Sequence, residues 1–181
     1  MRKGCDTLQR MRTTVDVTTI ASPVGMLTVA AHGPRVCLVH FGPASSRVRA
    51  SLTAWYPDAP IATAADPGGA VSVLERYFGG DLDSLDEIEV DLHGTSFQRS
   101  VWMALRSVTC GTTLSYAQLA ERVGAPSAVR AVGAANGANP VAVILPCHRV
   151  IGSNGSLTGY GGGLERKRWL LDHEGVKRTL F

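Results

Sequence analysis

Cys147 and His148 stand side by side in the run NPVAVILPCHRVIG, among residues that are otherwise mostly apolar. A thiolate attacks carbon well, but a free thiol with a pKa of about 8.5 is only slightly ionised near neutral pH, so the sulfur needs a base. His148 is the nearest one. Adjacent side chains on an extended chain point to opposite sides, so direct contact is not expected; a bridging water, or a turn imposed by Pro146, would complete the relay. An imidazole used in this way needs an acceptor on its other nitrogen to hold one tautomer, and Glu174 in LLDHEG offers one. Asn139, in the turn ANP, has a side chain able to bond backbone and stiffen the approach to the cysteine. The segment GYGGG at 159–163 exposes main-chain groups suited to wrapping a flat ligand. On residue type alone, a packed cysteine beside a surface histidine, and a plain linker after it, remain open alternatives.

Such residues act only if a fold positions them. The stretch TTVDVTTIASPVGMLTVAAHGPRVCLVHFG contains three short strand candidates, broken at SPVG and HGP. From Ser45 to Tyr56 apolar residues recur at helical spacing. DAPIATAADPGG is expected to be a loop, and AVSVLERYFGGD a helix stopped by Gly79 and Gly80. Ile88, Val90 and Leu92 alternate with acids, as in a strand with one wet face. After Gly94 the pattern becomes helical. Thr95 with Gln98, and Ser115 with Gln118, are capping-box signatures, and Phe97, Val101, Leu105 and Val108 follow the first at helical spacing. Pro126 is expected to open a third helix, PSAVRAVGAANG, whose small residues leave a thin surface from which Arg130 projects. The two short helices joined by GAP make a helix-turn-helix candidate. A tightly packed core helix is the other reading of the third element. LERKRWLLDHEG reads as an amphipathic helix with a basic face.

The chain has 181 residues, 45% of them hydrophobic, which suits one domain or two small ones with a shared interface. No apolar stretch approaches the roughly 18 residues of a membrane span, and the basic N-terminus lacks a signal-peptide core, so a cytoplasmic protein is expected. Four cysteines, at 5, 37, 110 and 147, form no CxxC pair, which argues against a disulfide framework or a compact zinc site. Cys37 reads as a buried strand residue and Cys110 as a turn residue. Cys5 with His32, His40 and His93 could gather a metal in principle, but none is expected. Residues 95–181 carry ten Lys+Arg against four Asp+Glu, and residues 1–94 carry eight against eleven. The halves are therefore +6 and −3, a division expected of a protein with a polyanion-binding face at one end.

The run GANPVAVILPCHRVIGSNGSLTGYGGGLERKRWLLDHEG, with SFQRSVWMALRSV, SYAQLAERVG and RAVGAANG before it, closely resembles the O6-alkylguanine-DNA alkyltransferase family. The resemblance covers nearly all of residues 94–175; before it, only SPVGMLTVAA and the strand-helix order are similar. It implies an α+β fold: an extension over 1–12, an RNase H-like mixed domain of short antiparallel sheet plus helices over 13–93, and a mostly α winged helix-turn-helix domain over 94–181. It also implies that the protein binds double-stranded DNA through the minor groove as a monomer, flips out O6-alkylguanine and transfers the alkyl group irreversibly to its own cysteine, with no cofactor.

Residue by residue, the resemblance makes Cys147 the acceptor, His148 the water-mediated base, Glu174 the acid that orients it, and Asn139 the hinge residue. Tyr116 becomes the donor to the departing guanine, and Arg130, beside Ala131, the finger that replaces the flipped base. Val150, Tyr160 and Gly161 would meet the guanine, and Ser115 and Gly137 would belong to the DNA- and substrate-binding surface. Gly161 and Asn136 depart from residues found in several relatives, which leaves the range of alkyl groups open. A non-catalytic binding module, an alkylation-sensing regulator and a cysteine hydrolase are the competing readings.

Overall fold

The computed structural model describes residues 13–176. The first part is built on β1 (Val15–Ile20), β2 (Leu27–His32) and β3 (Arg35–Phe41), the three strands expected from their β-branched content. They form an antiparallel meander with Val15 opposite His32 and Leu27 opposite Phe41. Ser22 and Gly25 exchange backbone bonds in the β1–β2 turn, where Gly25 takes φ +93°, a conformation that side chains resist. Helix α1 (Ser46–Trp55) is capped by Ser45, whose hydroxyl accepts the Val48 N–H at 3.3 Å. Val48 and Leu52 of α1 pack on Val15, Val17, Ala30, Cys37 and Leu38. Cys37 is thus a core residue, as expected.

The expected loop after α1 contains a fourth strand, β4 (Ile61–Thr63), parallel to β1. The sheet order becomes β3-β2-β1-β4. Three residues are too few to display a period, and it is the open edge of β1 that makes them a strand. Helix α2 (Ala70–Phe78) follows, as expected, and sets Ala70, Val73, Leu74 and Tyr77 against Leu27, Val29, Val36 and Val39 from the sheet's other face.

The free edge of β3 is shared by two short partners. Residues 88–92, expected to be a strand, make one bridge: Val36 N–H donates to Glu89 O, and Asp91 N–H to Val36 O, both at 2.9 Å. Further along, Val39 N–H donates to Pro140 O at 2.9 Å and Ala142 N–H to Val39 O at 3.0 Å. Sharing the edge leaves neither partner room for a full strand. It also ties the segment before Cys147 directly to the sheet.

Both capping boxes are present. Thr95 Oγ1 accepts from Gln98 N and Thr95 N donates to Gln98 Oε1, opening α3 (Ser96–Leu105). After β5 (Leu114–Ser115), Ser115 and Gln118 do the same for α4 (Tyr116–Arg122). Helix α5 (Val129–Gly137) starts later than Pro126 suggested, because Ala128 N–H closes a separate turn on Ala125 O at 2.9 Å. A two-residue strand, β6 (Val150–Ile151), pairs in parallel with β5, and α6 (Leu164–His173) closes the described chain. Val101, Trp102, Leu105, Leu119, Val132 and Ala135 join the core shared with the sheet. Phe97, on the same spacing, is 37% exposed because the first turn of α3 has not yet reached that core.

The architecture is therefore mixed α+β, a four-stranded sheet with helices on both faces and a helical cluster beyond one of them. Among the described residues no three His, Cys, Asp or Glu gather as a metal site. His32 and His93 instead contact the Tyr56 ring at 4.5 and 4.7 Å. Cys5 and the rest of 1–12 lie outside the described residues.

The α3–α5 contact is fastened by Trp102, whose indole N–H donates to Ala135 O at 2.7 Å within the core. Trp102→Phe removes that bond and part of a buried ring, and is expected to cost about 2–3 kcal/mol. A urea midpoint that falls at unchanged slope would verify it.

Candidate active site

Residues 141–150 are all buried, although most of them belong to no regular element. Their path is dictated by Asn139. Its side-chain amide donates to Leu145 O at 2.8 Å, while its carbonyl accepts from Val141 N at 3.0 Å. Leu145 N–H closes back on Val141 O at 3.0 Å. This tight loop places Val143 at φ +71°, where a β-branched residue is strained. Cys147 N–H then donates to Leu145 O at 2.7 Å, and Pro146 leads into a 3-10 turn over Cys147–Arg149. The turn expected at Pro146 is present, and it carries a buried cysteine, histidine and arginine.

Cys147 is 5% exposed, and its accessible surface faces a cavity of about 410 Å³. Asn136, Gly137 and Asn139 line that cavity on one side, Tyr160 and Gly161 on another, and His40 and Phe41 on a third. Gly162 fits beneath the loop because it has no Cβ; one built there would lie 2.6 Å from the Phe41 ring. Tyr116, Ser115, Arg130, Ala131 and Val150 lie outside this lining. Tyr116 reaches its rim, donating to Thr158 O at 3.2 Å and Gly159 O at 3.0 Å. Arg130 and Ala131 are exposed on α5. Ser115 serves as the α4 cap, and Val150 is buried in β6.

Burial pushes the Cys147 thiol above its ordinary pKa; an Asn139 hydrogen bond, the Lys167 charge, its own backbone N–H and Tyr160 offset only part of this. The sulfur at rest is a thiol and requires a base. His148 is fully buried, and burial pulls its pKa below the usual value even though Glu174 opposes this. Its Nε2 lies 2.9 Å from Glu174 Oε1, while its Nδ1 is buried without a protein partner. Burial alone would raise the Glu174 pKa, but His148 and Arg149 outweigh it and hold the carboxylate well below the usual range. An ionised carboxylate only accepts. Nε2 therefore carries the proton and Nδ1 the lone pair, the tautomer a proton acceptor needs.

Two residues of this site, Arg149 and Lys167, were given no role from sequence, and Asn136 only a bearing on the range of alkyl groups. Arg149 grips Glu174 with Nε to Oε2 and Nη2 to Oε1, each at 2.9 Å. Lys167 is fully buried, with Nζ donating to Val150 O at 2.6 Å and Thr158 O at 2.8 Å, and burial lowers its pKa to about 8 against the pull of Cys147. Asn136 donates to Cys147 O at 3.4 Å and keeps its own Oδ1 unpartnered. The arginine lies within the run around Cys147 and could have been suspected; the lysine sits among the cations of a helix that reads as amphipathic with a basic face.

Residues 96–176 match the family model described as the 6-O-methylguanine DNA methyltransferase DNA-binding domain. The methylated-DNA–protein-cysteine methyltransferase of Mycobacterium tuberculosis is 50% identical over 159 residues, covering 86% of this chain and 90% of that protein. The protein of that name from Mycolicibacterium paratuberculosis is 47% identical over 171 residues, 92% and 99% of the two chains. Among solved structures, Mycobacterium tuberculosis OGT in complex with DNA superposes with a TM-score of 0.73 at 46% identity, covering 88% of this chain and 92% of that one. The Pyrococcus kodakaraensis O6-methylguanine-DNA methyltransferase shares the fold, with a TM-score of 0.62 at 24% identity, over 90% and 100%.

The depressed Glu174 pKa contributes stability that is complete above the unfolded value of 4.5 and is lost as pH falls below it. Glu174→Gln should be less stable at neutral pH, where Arg149 and His148 lose an anionic partner, but should show a shallower fall between about pH 5 and pH 3. Urea midpoints of both proteins across that range measure the difference, and parallel curves would contradict the pairing.

Proposed function

The chain belongs to the methylated-DNA–protein-cysteine methyltransferase family and performs direct-reversal DNA repair by alkyl transfer; from that premise we propose that Cys147 accepts the alkyl group of a flipped O6-alkylguanine. The sulfur forms a bond to the alkyl carbon as that carbon's bond to guanine O6 breaks. The thiol proton passes through one water to His148 Nδ1, Glu174 balances the imidazolium, and the departing guanine takes a proton from Tyr116. The thioether has no easy route back to thiol, so each molecule acts once. The observation that carries this reading is the buried His148–Glu174 contact of 2.9 Å, which leaves Nδ1 as an unpartnered acceptor on the residue that follows a cysteine opening onto the 410 Å³ cavity.

The other assigned residues follow from the same chemistry. Asn139 holds the loop that presents Cys147. Gly137, Tyr160 and Gly161 surround the base, while the Val150 backbone, outside the cavity lining and bonded to Lys167 and Cys147, holds the turn behind it. α4 and α5 act as a helix-turn-helix whose wing is the β5–β6 pair, within a unit from residue 94 onward. Residues 13–93 form an RNase H-like unit that buttresses it. Helix α5 enters the minor groove, where exposed Arg130 and Ala131 beside small residues permit close approach, and Arg130 fills the place of the extruded base. The protein acts as a monomer in the cytoplasm.

Incubation with duplex DNA carrying labelled O6-methylguanine should transfer about one equivalent of label per protein, and none to Cys147→Ser. Binding without transfer would point to a recognition module, and repeated turnover to a hydrolase. Arg130→Ala should slow repair in duplex DNA by about tenfold, within the few kcal/mol that extrusion costs, and leave reaction with free O6-methylguanine nearly unchanged. Equal losses on the two substrates would remove Arg130 from base extrusion.

A further inference from the structure

Glu174 has a partner from the far side of the molecule. Tyr77 on α2, fully buried and 97 residues away in sequence, donates its hydroxyl to Glu174 Oε1 at 2.8 Å. The same oxygen receives His148 Nε2 and Arg149 Nη2, while Oε2 receives only Arg149 Nε. Arg149 alone would satisfy the carboxylate with its two-pronged grip. A third donor on the oxygen that faces the histidine is more than burial requires.

The phenol is also held in place. His173 Nε2 bonds the Tyr77 carbonyl at 2.8 Å, and the Tyr77 ring lies edge-on to His173 and Phe78, with centroids 5.1 and 5.2 Å away. Trp169 stacks on His173 at 4.9 Å and stops that ring from swinging. All of these braces come from α2 and α6, the helices that bring Tyr77 and Glu174 together.

We infer that Tyr77 is a positioning residue for alkyl transfer, its hydroxyl fixing which carboxylate oxygen meets His148 and tempering how strongly that oxygen draws on the imidazole proton. The inference rests on His148 being the proton acceptor. Withdrawing a donor from Oε1 leaves more negative charge for the His148 N–H, which makes the imidazole more basic and leaves the carboxylate freer to turn. The titratable and charged groups around the pair and Tyr77 are Cys110 after α3, Cys147 and Arg149 from the 3-10 turn, Tyr160 before α6, and Lys167 and His173 on α6. Among the groups bonded to the Glu174 carboxylate, only the Tyr77 hydroxyl can be deleted without changing charge or ring volume.

The test measures single-turnover transfer from O6-methylguanine duplex DNA, from about pH 5 to pH 9, by wild type and Tyr77→Phe. The variant is expected to lose about tenfold in maximal rate, to shift the midpoint of the acid limb to higher pH, and to bind DNA within about twofold of wild type. In a Glu174→Gln background the same substitution should change the transfer rate no further, because the two act as one unit. An unaltered rate and midpoint would overturn the inference. So would a rate loss at an unmoved midpoint that recurs in full in the Glu174→Gln background, the mark of packing alone. Wild-type transfer in the same series separates failure of this inference from failure of the transfer reading.

Discussion

An anion with no access to water organises this protein. Glu174 is 4% exposed, and its two oxygens accept from a tyrosine, a histidine and an arginine. A buried carboxylate left alone would protonate or disrupt the core, so its donors are obligatory. The donors come from two distant stretches of chain, Tyr77 from α2 and His148 with Arg149 from the 3-10 turn after Pro146, and Arg149 Nη1 also donates to Val108 O beyond α3. Satisfying one charge therefore assembles the chemistry and joins the sheet-bearing half of the molecule to the helical half. The same constraint sets the histidine tautomer, since an ionised acceptor requires a proton on the nitrogen that faces it.

The cysteine depends on a second fastening. A loop wound so tightly that Val143 takes a positive φ does not persist by its own preferences. Asn139 bonds it from within, and β3 bonds it from outside through Val39. The sheet thus has a direct mechanical part in presenting the sulfur. The edge of β3 that holds this loop lies beside the same cavity into which Cys147 opens, so His40 and Phe41 become its wall.

Burial places opposing demands on these groups. It raises the pKa of the Cys147 thiol and lowers those of Lys167 and His148, in each case favouring the neutral form. The resting site holds a neutral thiol and a neutral imidazole beside the Arg149–Glu174 ion pair, and a proton has to move only a short way when a substrate arrives. Lys167 adds a structural role, joining β6 to the loop at Thr158. Its burial is visible only in the fold, because in LERKRWLLDHEG it looks like one cation among several on the basic face of an amphipathic helix.

Local patterns were legible wherever neighbours in sequence decide the structure. The two capping boxes, the three meander strands and the Pro146 turn all depend on residues within a few positions of one another, and all are present. That His148 would need an acceptor, and that Glu174 could supply it, was legible because an imidazole tautomer has to be fixed, and the two meet at 2.9 Å. Where partners are distant, the sequence was silent or misleading. β4 exists because β1 has an open edge, residues 88–92 stop at one bridge because β3 is shared, and α5 starts late because a turn captures Pro126. Tyr77 meets Glu174 across 97 residues. The sequence by itself determined which groups could react. The tertiary structure alone decided what surrounds them, because burial and long-range hydrogen bonds belong to the packed chain and to no segment of it.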